Sequence, residues 1–476
     1  MNKVFISLPC FFFFFCFSYK ANAFLRLPDI FSDYMVLQQN QKIHFAGYAE
    51  PGQRIKVIAS WNKDTVKAVT LYNAKWSVDL TTPAAGGPYE ITVIGDKTIT
   101  IKNLLIGEVW LCSGQSNMEF NAAWHYNNYR EEIKNANHPE IRFFHIQKKS
   151  APYPQEEVRG KWEICTPETV GSFSGVAYFF GRTIYESLHQ PVGLIESCWG
   201  ASPVATWTPQ EVYKNNQRLT ASAAKITQRP WSPVKPARAF NAMIAPITDF
   251  SIAGVIWYQG EANTKNSSTY QQAFSGLIRS WRNLWEKQFP FYFVQISPFK
   301  YATPYGGAMI REAQLKTYRQ TVNTGMVVVT DITIDTSNIH PKNKQEVGRR
   351  LANWALAKTY HSEVINYSGP LYRSMKIKGN KIVIYFDFAA DGLMKKGDEL
   401  THFIIAGKDH QFVPAMAKIQ DSTVIVFSPK VKRPVAVRMG FKNTAIPNLF
   451  NTAGLPASPF RTDDWEVKSA IEVKGK

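Results

Sequence analysis

Around residue 113 the chain passes from unbroken apolar to abruptly polar. Leu104-Leu105-Ile106 and Val109-Trp110-Leu111-Cys112 read as a strand buried on both faces, which halts at Ser113-Gly114-Gln115-Ser116-Asn117. Further short apolar runs follow at residues 190–197, 252–258, 291–296 and 325–330. Between them, helical periodicity occupies residues 176–188, 269–285, 311–320 and 345–357. Strands alternating with helices predict a parallel sheet covered on both faces, so residues 104–366 read as one α/β unit.

On either side of that unit the period is two. Residues 42–48, 54–59 and 89–94 alternate, with Pro51-Gly52 and Gly86-Gly87-Pro88 as punctuation, and predict an antiparallel β-sandwich over residues 24–103. After the helical region, residues 375–378 and 381–386 flank Gly379-Asn380, a hairpin signal, and strands at 423–427 and 434–439 follow. A second β-sandwich over residues 367–476 is the simplest account. The stretch from Pro28 to Gln38 has neither period and is expected to dock across a neighbouring unit.

The first 23 residues read as a leader rather than as fold. Lys3 precedes an apolar run with five consecutive Phe, and Ala21-Asn22-Ala23 has the form of a cleavage site, so the mature chain is expected to start at Phe24. The run is too short for a membrane span, and no other stretch approaches the required length. Export to the periplasm or the extracellular space is expected, with no transmembrane segment. Removing the leader takes Cys10 and Cys16 with it and leaves Cys112, Cys165 and Cys198. At most one disulfide is then available; Cys165 with Cys198 is conceivable, and buried free thiols are the default.

Composition adds two points. The formal net charge is +18 over 476 residues, but Lys and Arg are dispersed and no nucleic-acid motif is present, so the charge suits an acidic glycan or an anionic surface better than nucleic acid, if it reflects more than solubility. Thirteen Trp and an aromatic share of 14% suit flat sugar rings as well as cores.

Chemistry concentrates where strands end, because the carboxyl ends of parallel strands face the ligand crevice. Three such ends carry polar clusters: residues 113–117, Trp199-Gly200-Ala201-Ser202, and Gln259-Gly260-Glu261-Ala262-Asn263. Ser116 is placed as a nucleophile. It also opens Ser116-Asn117-Met118-Glu119, which fits a capping box, and the two roles can coexist. A serine nucleophile needs a base, and His340 in Asn338-Ile339-His340-Pro341-Lys342-Asn343-Lys344 sits in a loop just before a predicted helix.

Gly114-Gln115-Ser116-Asn117-Met118, Trp199-Gly200 with Thr206-Trp207, Trp257-Tyr258-Gln259-Gly260-Glu261 and Ile339-His340-Pro341-Lys342-Asn343-Lys344 together resemble the sialate O-acetylesterase family of SGNH hydrolases. The resemblance spans roughly residues 25–465. It implies a flavodoxin-like three-layer domain with a parallel sheet, flanked by N- and C-terminal antiparallel β-sandwich-like domains. It further implies removal of O-acetyl groups from sialic acids through an acetyl-Ser116 intermediate, with His340 as base and neither metal nor cofactor. The backbone N–H groups of Ser116 and Gly200 are expected at the oxyanion. The third donor is expected from Gln259, with Asn263 second. Many such enzymes carry an Asp three residues before the His; here Ser337 stands there, so the Asn338 carbonyl is expected to support the base, with Asp335 and Asp331 as rivals. Gln115, Asn241, Glu261, Asn263 and Arg311 are candidates for substrate binding, Asn241 and Arg311 equally for packing. Two other readings stay open: an acetylesterase for another acetylated polysaccharide such as xylan, and a non-catalytic glycan-binding protein on the same fold.

Overall fold

The computed structural model describes residues 25–363 and 366–467; the leader and its cleavage site lie outside the described residues. Seven strands build the central layer: β1 (Thr98–Gly114), β2 (His138–His145), β3 (Trp162–Cys165), β4 (Val192–Cys198), β5 (Gly254–Tyr258), β6 (Phe291–Val294) and β7 (Thr324–Val327). Their order across the sheet is β7-β6-β5-β1-β4-β2-β3. Every pairing is parallel except that of the edge strand β3 with β2.

Alternate residues of each strand feed two cores. Val109, Leu111, Val255, Trp257, Phe291 and Phe293 face one, while Trp110, Cys112, Ile256, Tyr258, Tyr292 and Val294 face the other. Five helices are named here: α1 (Ser116–Glu119), α2 (Gly175–Leu188), α3 (Tyr270–Leu284), α4 (Gly306–Gln320) and α5 (Lys344–Lys358). α3 and α4 supply Phe274, Leu277, Trp281 and Ile310 to the first core; α2 and α5 supply Val176, Phe180, Val347 and Leu351 to the second. Burying each large apolar side chain contributes roughly 1.5–3 kcal/mol, and with both faces covered the strands have no polar side. The three-layer α/β architecture expected from the alternation is present.

The N-terminal β region is continuous with this sheet. The first half of β1 pairs antiparallel with Gly86–Ile94, and Val36–Gln38 adds in parallel at residues 105–107. Lys42–Tyr48 and Lys75–Thr81 form the opposing ribbon. β1 therefore runs through residue 103, where the sequence reading ends its first unit; Asn103 takes a left-handed conformation (φ 54°) there, and the strand carries on past it. Beyond α5, Leu371–Lys378, Lys381–Asp387, Thr423–Phe427 and Met416–Gln420 make one antiparallel sheet, and Phe403–Ala406 and Ala436–Met439 belong to a second. Ile382, Ile384, Ile405, Val424 and Val426 fill the core between them. Cys112, Cys165 and Cys198 are buried and unpaired, so no disulfide joins Cys165 to Cys198.

Candidate active site

Register brings the three polar strand ends together. Gly114 at the end of β1 lies opposite Cys198 of β4 on one side and Tyr258 of β5 on the other. The segments that follow, Ser116, Trp199-Gly200 and Gln259-Glu261, must then emerge at one level of one rim. Gly114 has φ 142°, and a Cβ there would stand 2.2 Å from the Tyr258 carbonyl oxygen, so the turn out of β1 admits only glycine. The Gln115 N–H donates to the same carbonyl at 3.0 Å.

Ser116 is the first residue of α1, and its hydroxyl lies 2.9 Å from His340 Nε2. The structure corrects the capping-box reading. Gln115, not Ser116, occupies the cap position, and Glu119 turns away from it. The Ser116 side chain is engaged by the imidazole, and a four-residue helix leaves the reciprocal bond unmade.

His340 stands in the loop before α5, whose N-cap Asn343 accepts the Glu346 N–H at 3.1 Å. Its ring packs against Phe120 and Trp124, with centroid distances of 5.9 and 5.3 Å. Burial, assisted by the Lys344 ammonium, pushes the imidazole pKa down from 6.5 to about 4. The ring is therefore neutral near pH 7. With Nε2 accepting the Ser116 proton, its own proton is on Nδ1.

The expected orienting groups are elsewhere. Asp331 forms a two-pronged pair with Arg350 at 2.8 and 2.7 Å. Asp335 is exposed and accepts from the Ser337 N–H and hydroxyl, both at 2.7 Å. Asn338 accepts the backbone N–H of His340 at 2.9 Å through its side chain, steadying the loop rather than the ring. Among the described residues no carboxylate bonds the His340 ring.

The expected oxyanion donors also divide. Among the described residues the Ser116 N–H has no protein acceptor. The Gly200 N–H, in contrast, donates to Glu119 Oε2 at 2.6 Å, and Glu119 is held from its other oxygen by Lys148. In this structure Gly200 is thus not open to an oxyanion, although Gly200 and Ser116 are neighbours: a Cβ on Gly200 would lie 3.6 Å from that of Ser116. Gln259 is fully buried, and its Nε2 is spent on Asn263 Oδ1, Ser202 O and Gln115 Oε1 at 2.8, 3.1 and 3.2 Å. The sequence order of the third strand end suggests an exposed donor; the side chains instead bond one another and brace the rim.

The same bracing removes the substrate-binding candidates from the surface. Gln115 Oε1 accepts from Gln259 and the Ala262 N–H, and Asn263 Oδ1 also accepts the Val204 N–H. Asn241 donates to the Ala151 carbonyl at 3.1 Å. Arg311 is wholly buried and donates to the backbone carbonyls of Lys442 and Asn443, tying α4 to the C-terminal β region. Glu261, 5% exposed, accepts from the Asn117 amide at 2.6 Å. Asn117 and Lys344 are the residues that sequence reasoning left without a role. Both stand inside the quoted motifs, one beside Ser116 and one four residues past His340.

A half-buried neutral imidazole bonded to a serine hydroxyl, at the carboxyl rim of a parallel sheet, is the arrangement for acyl transfer through serine. Comparison with known proteins gives the class a family. The model described as "Carbohydrate esterase, sialic acid-specific acetylesterase" matches residues 106–357, and the chain belongs to that family. The sialate O-acetylesterase of Homo sapiens is 27% identical over 491 residues, covering 93% of each chain. That of Rattus norvegicus is 27% identical over 449 residues, covering 81% of this chain and 83% of its own. A carbohydrate acetylesterase from Xanthomonas citri superposes with a TM-score of 0.85 at 34% identity, covering 93% of this chain and 100% of that one. The protein is an esterase.

Proposed function

We propose that this protein removes O-acetyl groups from sialic acids, with Ser116 as nucleophile and His340 as general base and acid. The observation that carries the reading is the 2.9 Å contact between Ser116 Oγ and His340 Nε2 at the meeting point of three strand ends. Ser116 Oγ attacks the acetyl carbonyl carbon while His340 Nε2 takes its proton. The carbonyl oxygen becomes an oxyanion facing the Ser116 N–H. Collapse breaks the bond to the sugar oxygen, which leaves with the proton from His340, and the acetyl group stays on Ser116. Water then gives its proton to His340 and attacks the ester, and acetate departs as Ser116 recovers its proton.

The net charge of +18 is consistent with an acidic sugar as substrate. One observation favours a second reading, an acetylesterase for another acetylated glycan: the solved carbohydrate acetylesterase shares more identity, 34%, than the sialate enzymes, 27%. The leader-like first 23 residues support action outside the cytoplasm.

Acetate release from O-acetylated sialosides and acetylated xylans tests the assignment. Release from sialosides, falling roughly 10⁴-fold or more in Ser116→Ala, is the expected result. Preferential release from xylan would move the assignment to the second reading, and a Ser116→Ala enzyme as fast as the parent would remove the mechanism.

A further inference from the structure

His340 keeps its alignment with Ser116 although, among the described residues, no carboxylate bonds its ring. The support lies one residue away on each side. Asn117 follows the nucleophile, and Ile339 precedes the base. Asn117 Nδ2 donates to the Ile339 carbonyl at 3.0 Å, so a single side chain bridges the two backbones that carry the dyad.

The orientation of that amide is determined by its other partners. Nδ2 also donates to Glu261 Oε1 at 2.6 Å, and Oδ1 accepts from Lys344 Nζ at 2.7 Å. An acceptor on one side and a donor on the other allow only one of the two amide orientations. Asn117 is wholly buried and Lys344 is 1% exposed. The Lys344 ammonium also lies 4.4 Å from the centre of the Phe120 ring and 5.5 Å from that of Tyr258. Burial raises the pKa of Glu261 and lowers that of Lys344 to about 7, so desolvation disfavours the charged form of each, and their hydrogen bonds to Asn117 partly offset it. Such a group contributes little net stability, and what it does here is fix the Asn117 amide in one orientation.

We propose that Asn117 is the positioning residue that stands in for a histidine-orienting carboxylate, holding the backbone of the base instead of its ring, with Glu261 and Lys344 fixing its amide. This inference rests on the Ser116–His340 esterase reading. None of the three residues touches the reacting atoms; they act through His340.

The test uses turnover of a chromogenic acetate ester by the full chain. Asn117→Leu removes the bridge but strands two buried charges. The triple variant Asn117→Leu, Glu261→Leu, Lys344→Met removes bridge and charges together, and apolar replacement of an entire buried ionic group commonly preserves folding. A misplacement on the order of 1 Å at a reacting pair costs roughly 10²-fold. The expected result for the triple variant is therefore a kcat about 10²-fold lower, with KM within about twofold and an unchanged circular dichroism spectrum. Glu261→Gln, which can still accept from Asn117, is expected to keep at least about tenfold more kcat than Glu261→Leu. A folded triple variant within about threefold of the parent kcat overturns the inference, as does equal loss in Glu261→Gln and Glu261→Leu. A parent chain no faster than Ser116→Ala would instead defeat the esterase reading itself.

Discussion

The pH dependence of turnover follows directly from the surroundings of His340. Its imidazole titrates at about 4, first because it is half-buried against Phe120 and Trp124 and second because the Lys344 ammonium opposes a further positive charge. In the proposed mechanism the active form is the neutral one. At pH 5.5 a group titrating at about 4 is roughly 97% neutral, whereas an ordinary imidazole at about 6.5 would be only about 9% neutral. The profile of kcat/KM for a chromogenic acetate ester should thus stay flat from neutrality to about pH 5 and fall by half near pH 4. Stability changes in the same window and must be followed separately. The folded-state pKa is depressed, so below about 6.5 the unfolded chain takes up a proton that the folded chain refuses; stability from this group is complete above about 6.5 and lost as pH falls through about 4. Titrating active enzyme with a serine-directed fluorophosphonate at each pH separates the two effects. A half-point between pH 6 and 7, at constant active fraction, would refute the argument.

Two further outcomes separate structural from catalytic residues. Asp335→Asn should leave kcat within about twofold, because its carboxylate serves only Ser337; Asp331→Asn should cost about 1–3 kcal/mol of stability on urea unfolding, because the buried Arg350 loses its two-pronged partner and keeps Glu346, with the pH profile of the surviving enzyme unmoved. In a chain starting at residue 24, a thiol reagent should find no fast-reacting cysteine in the native state and three after denaturation, since burial raises the pKa of Cys112, Cys165 and Cys198.

What the sequence makes legible follows from the range of the physics. Strands buried on both faces leave long apolar runs, so β4, β5 and β6 are visible in the order of residues, as are the helices that cover them. The strands β2 and β3 toward one edge are not: His138, Glu140 and Arg142 interrupt the first, and the second has only four residues. The paired Ser116 and His340, the proposed nucleophile and base, are legible because each sits in a short motif at a strand or helix end. The oxyanion assignments fare worse. A sequence places Gly200 near the rim but cannot show that Glu119, read as half of a capping box, reaches across to take its N–H.

The orienting group was hardest to see because spacing along the chain is the wrong coordinate for it. A carboxylate three residues before the histidine is a local signal, and its absence at Ser337 leaves Asp335 and Asp331 as the nearest substitutes. Both are committed to other partners within 19 residues of themselves. The bridge to Ile339 instead comes from Asn117, 222 residues away, and the groups that orient it come from two further segments. A carboxylate on the imidazole would stabilise the imidazolium and raise its pKa, whereas a clamp on the preceding carbonyl aligns the ring without adding charge beside it. His340 can then remain neutral far into acid, and its low pKa and the clamp on the preceding carbonyl are two sides of the same construction.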